Sequence, residues 1–344
     1  MSGLRVCLVG PDHHPIGEPF AGGLESFVHG QADELSRRGH DVTLVAAAGS
    51  RPAPGVELLA LDARASAGRG YLALMARLAD ARRHDFDVVH DHSLQPLPLM
   101  MAPALAVPVV TTFHTPPIAP VQAALRSLER RAAGLVTCTA VSGWTARSWA
   151  PTAASVVVPN GVDLTRWRPG PGGGRAVWSG RLVPEKAPHA AIEACRLAGV
   201  GLDLVGPRHD PDYFRRCVEP LLGDDVRYLG HLDHPRLRRV LQHAGVAVVT
   251  PDWDEPYGLV AAEAMACGTP VAAFGRGALP EVVGGGGVLA AAGDVASLAR
   301  AVVAARRLDR AAVRRHAEQV CSLAATVDRY ERLYLSLADG RRAA

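Results

Sequence analysis

The sequence predicts an α/β protein of two doubly wound domains, and three observations carry that expectation. Short apolar runs alternate with stretches of helical spacing from Arg5 onward. The alternation is interrupted once, at the Pro- and Gly-dense stretch Pro159 to Arg175 (PNGVDLTRWRPGPGGGR), and restarts at Ala176. The chain has 344 residues, about twice an ordinary domain. The expected division is a first domain over 1–158, a hinge at 159–175, a second domain over 176–323 and a closing segment at 324–344.

In the first half, Arg5 to Val9 reads as a buried strand. It is followed by the loop GPDHHPIGEPFAGG, a helix from Leu24 to Arg38 and a second strand at Val42 to Ala46. This βαβ opening implies parallel strands. Further strands are expected at Val56 to Ala60, Val88 to His90, Val109 to Phe113, Gly134 to Val141 and Val156 to Val158, with helices near Tyr71 to Arg83 and Val121 to Ala133. In the second half the order is strand Ala176 to Ser179, helix His189 to Ala198, strand Leu202 to Val205, helix Asp212 to Leu222, strand Val226 to Leu229, helix Pro235 to His243 and strand Val246 to Val249. The last segment, Ala324 to Leu337, spaces Val327, Tyr330, Leu333, Tyr334 and Leu337 by threes and fours, as a packing helix does. Arg341 to Ala344 is expected to fray.

Composition narrows the function classes. With 48% apolar and 21% charged residues and a net charge of +3, the chain lacks the concentrated basic face of a nucleic-acid binder, and small molecules are the more natural partners. The six cysteines are scattered without a CxxC pair, and no secretory leader opens the sequence, so a reduced, cytoplasmic protein is expected. No apolar run reaches the roughly 18 residues that span a bilayer. The helix Val121 to Ala133 carries Arg126, Arg130 and Arg131, read first as a solvated face, with peripheral membrane contact the less favoured reading.

The densest chemistry lies in Pro251 to Leu279. A buried strand leads through Asp-Trp-Asp-Glu-Pro-Tyr-Gly into an Ala-rich helix opening near Tyr257 or Gly258, whose free N–H groups and dipole suit an anion. Glu255 sits outside that mouth, and Glu263 is expected about two turns inside, leaning back toward it. Carboxylates repel a phosphate but accept hydrogen bonds from hydroxyls on either side of one. A nucleotide sugar has that pattern. Helix-start acids that merely stabilise the helix are the plain alternative.

The first turn of the second domain, Ser-Gly-Arg-Leu-Val-Pro-Glu-Lys, holds Arg181 and Lys186 at a strand's carboxyl end, where two cations can clamp a diphosphate. Gly22 and Gly23 directly before the first helix allow close backbone approach to a phosphate, or simply make a tight turn. His90, His92 and Ser93 follow one strand, His114 another and Ser142 a third, converging on one sheet edge. His90-x-His92 lacks a third metal ligand. Asp85-x-Asp87 and Asp252-x-Asp254 match a metal-binding D-x-D, but they bracket strand boundaries where Asp is common, so no metal is expected. The missing G-x-G-x-x-G fingerprint disfavours a dehydrogenase.

Taken together, Arg181-x4-Lys186 after Ser-Gly, Glu255-x7-Glu263 followed by Gly-Thr-Pro, Gly22-Gly23-Leu24-Glu25 and Phe113-His114-Thr115 resemble, over essentially the whole chain, the retaining glycosyltransferases of family 4. The resemblance implies the GT-B fold, with two Rossmann-like domains facing a cleft and a last helix crossing back to the first domain. It assigns acceptor binding mostly to the first domain and the nucleotide sugar to the second. It also implies that Arg181 and Lys186 stabilise the leaving diphosphate with the N–H groups of Gly22 and Gly23. Glu255 would hold donor sugar hydroxyls beside the N–H groups of Tyr257, Gly258 and Leu259, Glu263 the ribose hydroxyls, and His114 the sugar at its reacting end. The base would be read near Gly230 to Leu232. His14, His90, His92 and Ser142 are the acceptor-side candidates. Where the family often has Gly after the clamp lysine, this chain has Ala187-Pro188, which could shift the following helix. The His13-His14 loop matches no known acceptor class. The expected reaction moves a hexose, of glucose or N-acetylglucosamine type, from a nucleotide diphosphate sugar, UDP-linked, to a small-molecule or glycan acceptor, with retention and without metal or cofactor. A GT-B-like nucleotide-sugar isomerase and a non-catalytic nucleotide-sugar-binding module are the alternatives.

Overall fold

A computed structural model describes residues 3–61, 69–79, 85–105, 107–132 and 134–342. The chain forms two compact units. The first comprises 1–20, 24–159 and 324–344, and the second 21–23 and 160–323.

The first unit is built on a seven-stranded sheet of β1 (Arg5–Val9), β2 (Asp41–Ala47), β3 (Val56–Leu61), β4 (Val88–Asp91), β5 (Val109–Phe113), β6 (Val136–Ala140) and β7 (Val156–Val157), in the order β3-β2-β1-β4-β5-β6-β7. Every pairing is parallel. A parallel sheet covered on both faces needs apolar strands, and four of the five residues of β1 are fully buried. The strand order reverses between β1 and β4, so the loops after Val9 and Asp91 flank the switch point. Helix Arg69–Ala79 packs Tyr71 and Met75 onto Val45 and Val89, and the Tyr71 hydroxyl donates to the Gly10 carbonyl at 2.6 Å. The expected helix here ran to residue 83; residues 80–83 lie outside those described. Helix Ala119–Ala132 buries Val121, Leu125 and Leu128 and exposes Arg126 and Arg130, while the side chain of Arg131 is not among those described.

The closing helix, Leu323–Arg342, groups with this unit from Ala324 onward. Val327, Tyr330 and Tyr334 are fully buried, on the stripe that the spacing predicts. Arg38 bonds Asp328 at 2.5 Å and Glu331 at 2.9 Å, and the His40 ring nitrogen lies 3.0 Å from Glu331.

The second unit carries a six-stranded parallel sheet of β8 (Ala176–Ser179), β9 (Leu202–Val205), β10 (Val226–Tyr228), β11 (Val246–Val249), β12 (Val271–Phe274) and β13 (Gly287–Ala290), ordered β10-β9-β8-β11-β12-β13. Its switch point lies between β8 and β11. β12 and β13 escaped the sequence reading, because short runs such as Gly-Val-Leu-Ala in an Ala/Gly-rich stretch carry no period of their own. The helix expected over Asp212 to Leu222 is instead a short α-turn (Pro211–Tyr213), a π-turn (Phe214–Val218) and a 3-10 turn (Glu219–Leu221). Pro220 has no N–H to continue an α-ladder, which accounts for the break.

From Asn160 on, the Pro/Gly segment expected as a hinge is part of the second unit. Val162 N–H donates to Cys321 and Leu323 N–H to Val162, at 2.8 and 3.1 Å. Trp167 is buried, and Arg314 donates to the carbonyls of Trp167, Ala266 and Leu164 at 2.6, 2.6 and 3.1 Å. Replacing Arg314 with Ala strands three carbonyls that a charged donor now satisfies. The expected cost is about 2–3 kcal/mol of unfolding free energy, read as a lower urea midpoint with the slope unchanged.

Candidate active site

The site in the second unit begins at the carboxyl ends of the two strands that flank its switch point. After β8 the chain passes through Gly180 and Arg181 into a 3-10 turn at Pro184–Lys186, and then into helix Pro188–Leu197. A proline opens each, as suits a first helical position with no N–H to satisfy. Between them Ala187 adopts φ 44°, ψ 52°, the left-handed conformation. The expectation that Ala-Pro shifts the helix start is thus met differently: alanine takes the glycine-like conformation, at a cost of about 1–2 kcal/mol.

This turn is tied to the loop after β11. Thr250 Oγ1 lies 2.9 Å from the carbonyls of both Lys186 and Ala187 and accepts from Trp178 Nε1 at 3.0 Å. Asp252 N–H donates to the Glu185 carbonyl at 2.8 Å. These bonds set Lys186 against Glu255, Nζ to Oε2, at 2.5 Å. Trp253 Nε1 donates to the same oxygen at 3.1 Å, and the Lys186 ammonium sits 4.8 Å from the Trp253 ring centroid. Glu255 is held from behind as well. Its carbonyl accepts from Ala278 N–H at 2.7 Å, and Gly277, at φ 60°, passes so close that a Cβ there would lie 2.2 Å from that oxygen. Arg181 is half-buried and makes no hydrogen bond or ion pair among the described residues.

Gly258, at φ 96°, turns the chain into helix Leu259–Ala266 behind the buried Tyr257. Glu263 lies one turn inside this helix rather than two, because the helix starts at Leu259. It is buried, nothing among the described residues hydrogen-bonds its carboxylate, and desolvation pushes its pKa up to about 8. Leu232 is half-buried in the loop between β10 and helix His234–His243, next to the left-handed Gly230. Gly22 and Gly23 lie where helix Gly23–Arg37 opens, and Gly23 is its first residue.

The D-x-D pairs serve as ion-pair partners. Asp252 and Asp254 both face Arg276, at 2.8 and 3.4 Å, and Asp87 holds Arg5 at 3.1 Å. No group of three His, Cys, Asp or Glu fit to hold a metal occurs among the described residues.

In the first unit the histidines are brought together. His114, half-buried after β5, bonds His92 at 2.8 Å through Nε2 and Nδ1. His90 is fully buried, with Nε2 2.6 Å from Thr112 Oγ1 and Nδ1 in a short hydrogen bond to the Tyr334 hydroxyl. With both nitrogens engaged, His90 belongs to the scaffold under the site and offers no surface to an acceptor. Ser142 is likewise buried, capping helix Gly143–Trp149 by accepting from Thr145 N–H at 3.0 Å. His14 sits half-buried in the loop after β1. Thr250, Trp253, Thr112 and Tyr334 were not marked from sequence. Trp253 lies inside the singled-out loop and could have been, but the others act through contacts distant in the chain.

The description "Glycosyltransferase Family 4" matches residues 21–166, and "Glycosyl transferases group 1" matches residues 172–316. A protein named glycogen synthase, from Mycobacterium tuberculosis, is 31% identical over 380 residues, spanning 91% of this chain and 90% of that one. The chain belongs to glycosyltransferase family 4. A phosphatidyl-myo-inositol mannosyltransferase of Mycobacterium leprae is 32% identical over 331 residues, covering 84% of each chain. The crystal structure of Anabaena Alr3699/HepE in complex with UDP and glucose superimposes with a TM-score of 0.77 at 19% identity, over 97% of this chain and all of the other. That likeness shows the GT-B fold. No helix among the described residues of this glycosyltransferase is long and apolar enough to cross a membrane.

The raised Glu263 pKa has a definite sign. Between the ordinary glutamate value and about 8, the folded chain holds a proton that the unfolded chain has lost, so stability falls as pH rises through that window. Glu263→Gln is expected to abolish this component. The melting temperature of the variant should gain on the parent steadily from pH 5 to pH 8, as measured by calorimetry in parallel buffers.

Proposed function

We propose that this glycosyltransferase moves a hexose of glucose or N-acetylglucosamine type from a UDP-linked donor to a small-molecule or glycan acceptor, retaining the anomeric configuration. The observation that carries the reading is the arrangement at β8 and β11: a half-buried Lys186–Glu255 pair and an uncommitted Arg181. A diphosphate needs the cations. A sugar hydroxyl can donate to the Glu255 oxygen that Lys186 does not hold. Glu263, buried and without a partner among the described residues, suits a ribose hydroxyl. UDP as the nucleotide is supported by the Anabaena structure, which contains UDP and glucose.

In the proposed step the acceptor oxygen attacks the anomeric carbon on the face the diphosphate leaves. The bond from that carbon to the phosphate oxygen breaks, and this oxygen takes the acceptor's proton. Arg181 and Lys186, with the N–H groups of Gly22 and Gly23, receive the growing negative charge. Tyr257, Gly258 and Leu259 offer backbone N–H groups near the sugar, Leu232 lies beside the base, and His114 meets the sugar hydroxyls. No cofactor takes part. Glu255 serves as a positioning carboxylate rather than a nucleophile, since one oxygen already accepts from both Lys186 and Trp253. On the acceptor side the reading favours His14 over the fully buried His90, His92 and Ser142. Cytoplasmic residence is part of the proposal, supported by six cysteines scattered along the sequence without a CxxC pair.

Lys186→Ala and Glu255→Gln are each expected to lower transfer from UDP-glucose about 100-fold or more while the fold persists by circular dichroism. UDP should raise the parent's melting temperature and do so less in Lys186→Ala. Full activity in both variants would overturn the assignment. A new nucleotide sugar formed without acceptor would identify an isomerase, and binding without turnover across an acceptor panel would identify a binding module.

A further inference from the structure

We infer that His114 carries its proton on Nδ1 and meets its ligand as a hydrogen-bond donor, with His92 as the positioning residue that sets this tautomer and the His90–Tyr334 pair as its support. The ligand contact rests on the function proposed above; the tautomer does not.

The hydrogen bonds around His90 run in one direction. Thr139 Oγ1 donates to the Thr111 carbonyl at 3.4 Å, so it accepts from Thr112 Oγ1 at 2.7 Å. Thr112, its one proton used, accepts from His90 Nε2 at 2.6 Å and from the Tyr330 hydroxyl at 3.1 Å. His90 therefore holds its proton on Nε2, and its bare Nδ1 accepts from Tyr334. The Tyr334 oxygen in turn accepts from Gln31 Nε2 at 3.2 Å. Both tyrosines come from the closing helix, so this helix fixes the His90 ring.

His92 lies against that ring, centroid to centroid at 3.9 Å, and Phe27 packs edge-on from another side at 6.0 Å. Its Nδ1 bonds His114 Nε2, while its Nε2 is buried with no partner among the described residues. Burial lowers the pKa of all three histidines, that of His114 to about 3, so each carries one N–H at neutral pH. Two proton placements satisfy the His92–His114 bond. If His114 donated, the proton of His92 would sit on Nε2 as a buried, orphaned N–H, the arrangement folded proteins most avoid. If His92 donates, its buried Nε2 is a bare lone pair. His114 Nε2 then accepts, and its proton lies on Nδ1, which takes no partner among the described residues and is left for a ligand oxygen.

The test uses the full chain labelled with 15N-histidine and long-range 1H–15N spectra of the free protein, with signals assigned by single replacements. The parent should show His114 protonated on Nδ1. His92→Asn, whose amide N–H can replace the Nδ1 donor, should keep that pattern, and His92→Phe, which packs but cannot donate, should lose it. Hydrolysis of UDP-glucose supplies the second readout. His92→Phe should lower kcat about 10-fold with KM little changed, His92→Asn should restore it, and Tyr334→Phe should lower it to a smaller extent. His114 protonated on Nε2 in the parent, or unchanged tautomer and kcat in His92→Phe, overturns the inference. If the parent does not hydrolyse UDP-glucose, the proposed donor falls, and the spectra still decide the tautomer.

Discussion

The candidate site of the second unit is arranged around one ion pair, the Lys186 ammonium 2.5 Å from the Glu255 carboxylate. A carboxylate beside a phosphate site is repulsive by itself, and a lysine there is a mobile charge on a long stem. Joined, each removes the other's defect. Glu255 keeps its place without presenting a full negative charge, and Lys186 is drawn out of its rotamer ensemble toward the strand ends. The pair in turn requires the turns after β8 and β11 to be held as one piece. Thr250, Trp178 and the Asp252–Glu185 backbone bond do that. The left-handed Ala187 and the close-packed Gly277 are conformational costs of the same arrangement.

Burial of polar groups is the second theme, and it works alike in both units. Glu263 and the three histidines sit where water cannot reach them freely, and desolvation holds them in their neutral forms. A neutral carboxyl or imidazole is a directional hydrogen-bonding group rather than a charge. Under the proposed function Glu263 and His114 read hydroxyls in this way, while the charged work falls to Arg181 and Lys186. The closing helix contributes to this economy by sending Tyr330 and Tyr334 under the first sheet's carboxyl edge, where their hydroxyls complete a network begun by Gln31 and Thr139.

Much of the architecture was legible in the chain. β1, β5, β8, β9 and β11 begin and end where their apolar runs do, since parallel strands covered on both faces must be continuously apolar. Legibility failed where burial was achieved without pattern. β12 and β13 are Ala- and Gly-rich, and the expected helix after Asp212 is broken at Pro220. The Pro/Gly segment looked like a free linker, yet Arg314, far along the chain, nails its carbonyls to the second unit. Among the candidate residues, types and spacings pointed to Arg181, Lys186, Glu255 and Glu263 in the second unit and to His114 in the first. They did not show that Lys186 pairs with Glu255, nor that His90 and His92 lie beneath the surface.

The sequence by itself determined the periodicities that make two parallel sheets, and it placed the charged and glycine-rich turns at strand ends, because those signals are local. Only the tertiary structure decided which turns meet, which histidine nitrogen bonds which hydroxyl, and which carboxylate is desolvated. These depend on residues as far apart as Gln31 and Tyr334, and no local pattern of side chains encodes a contact across 303 positions.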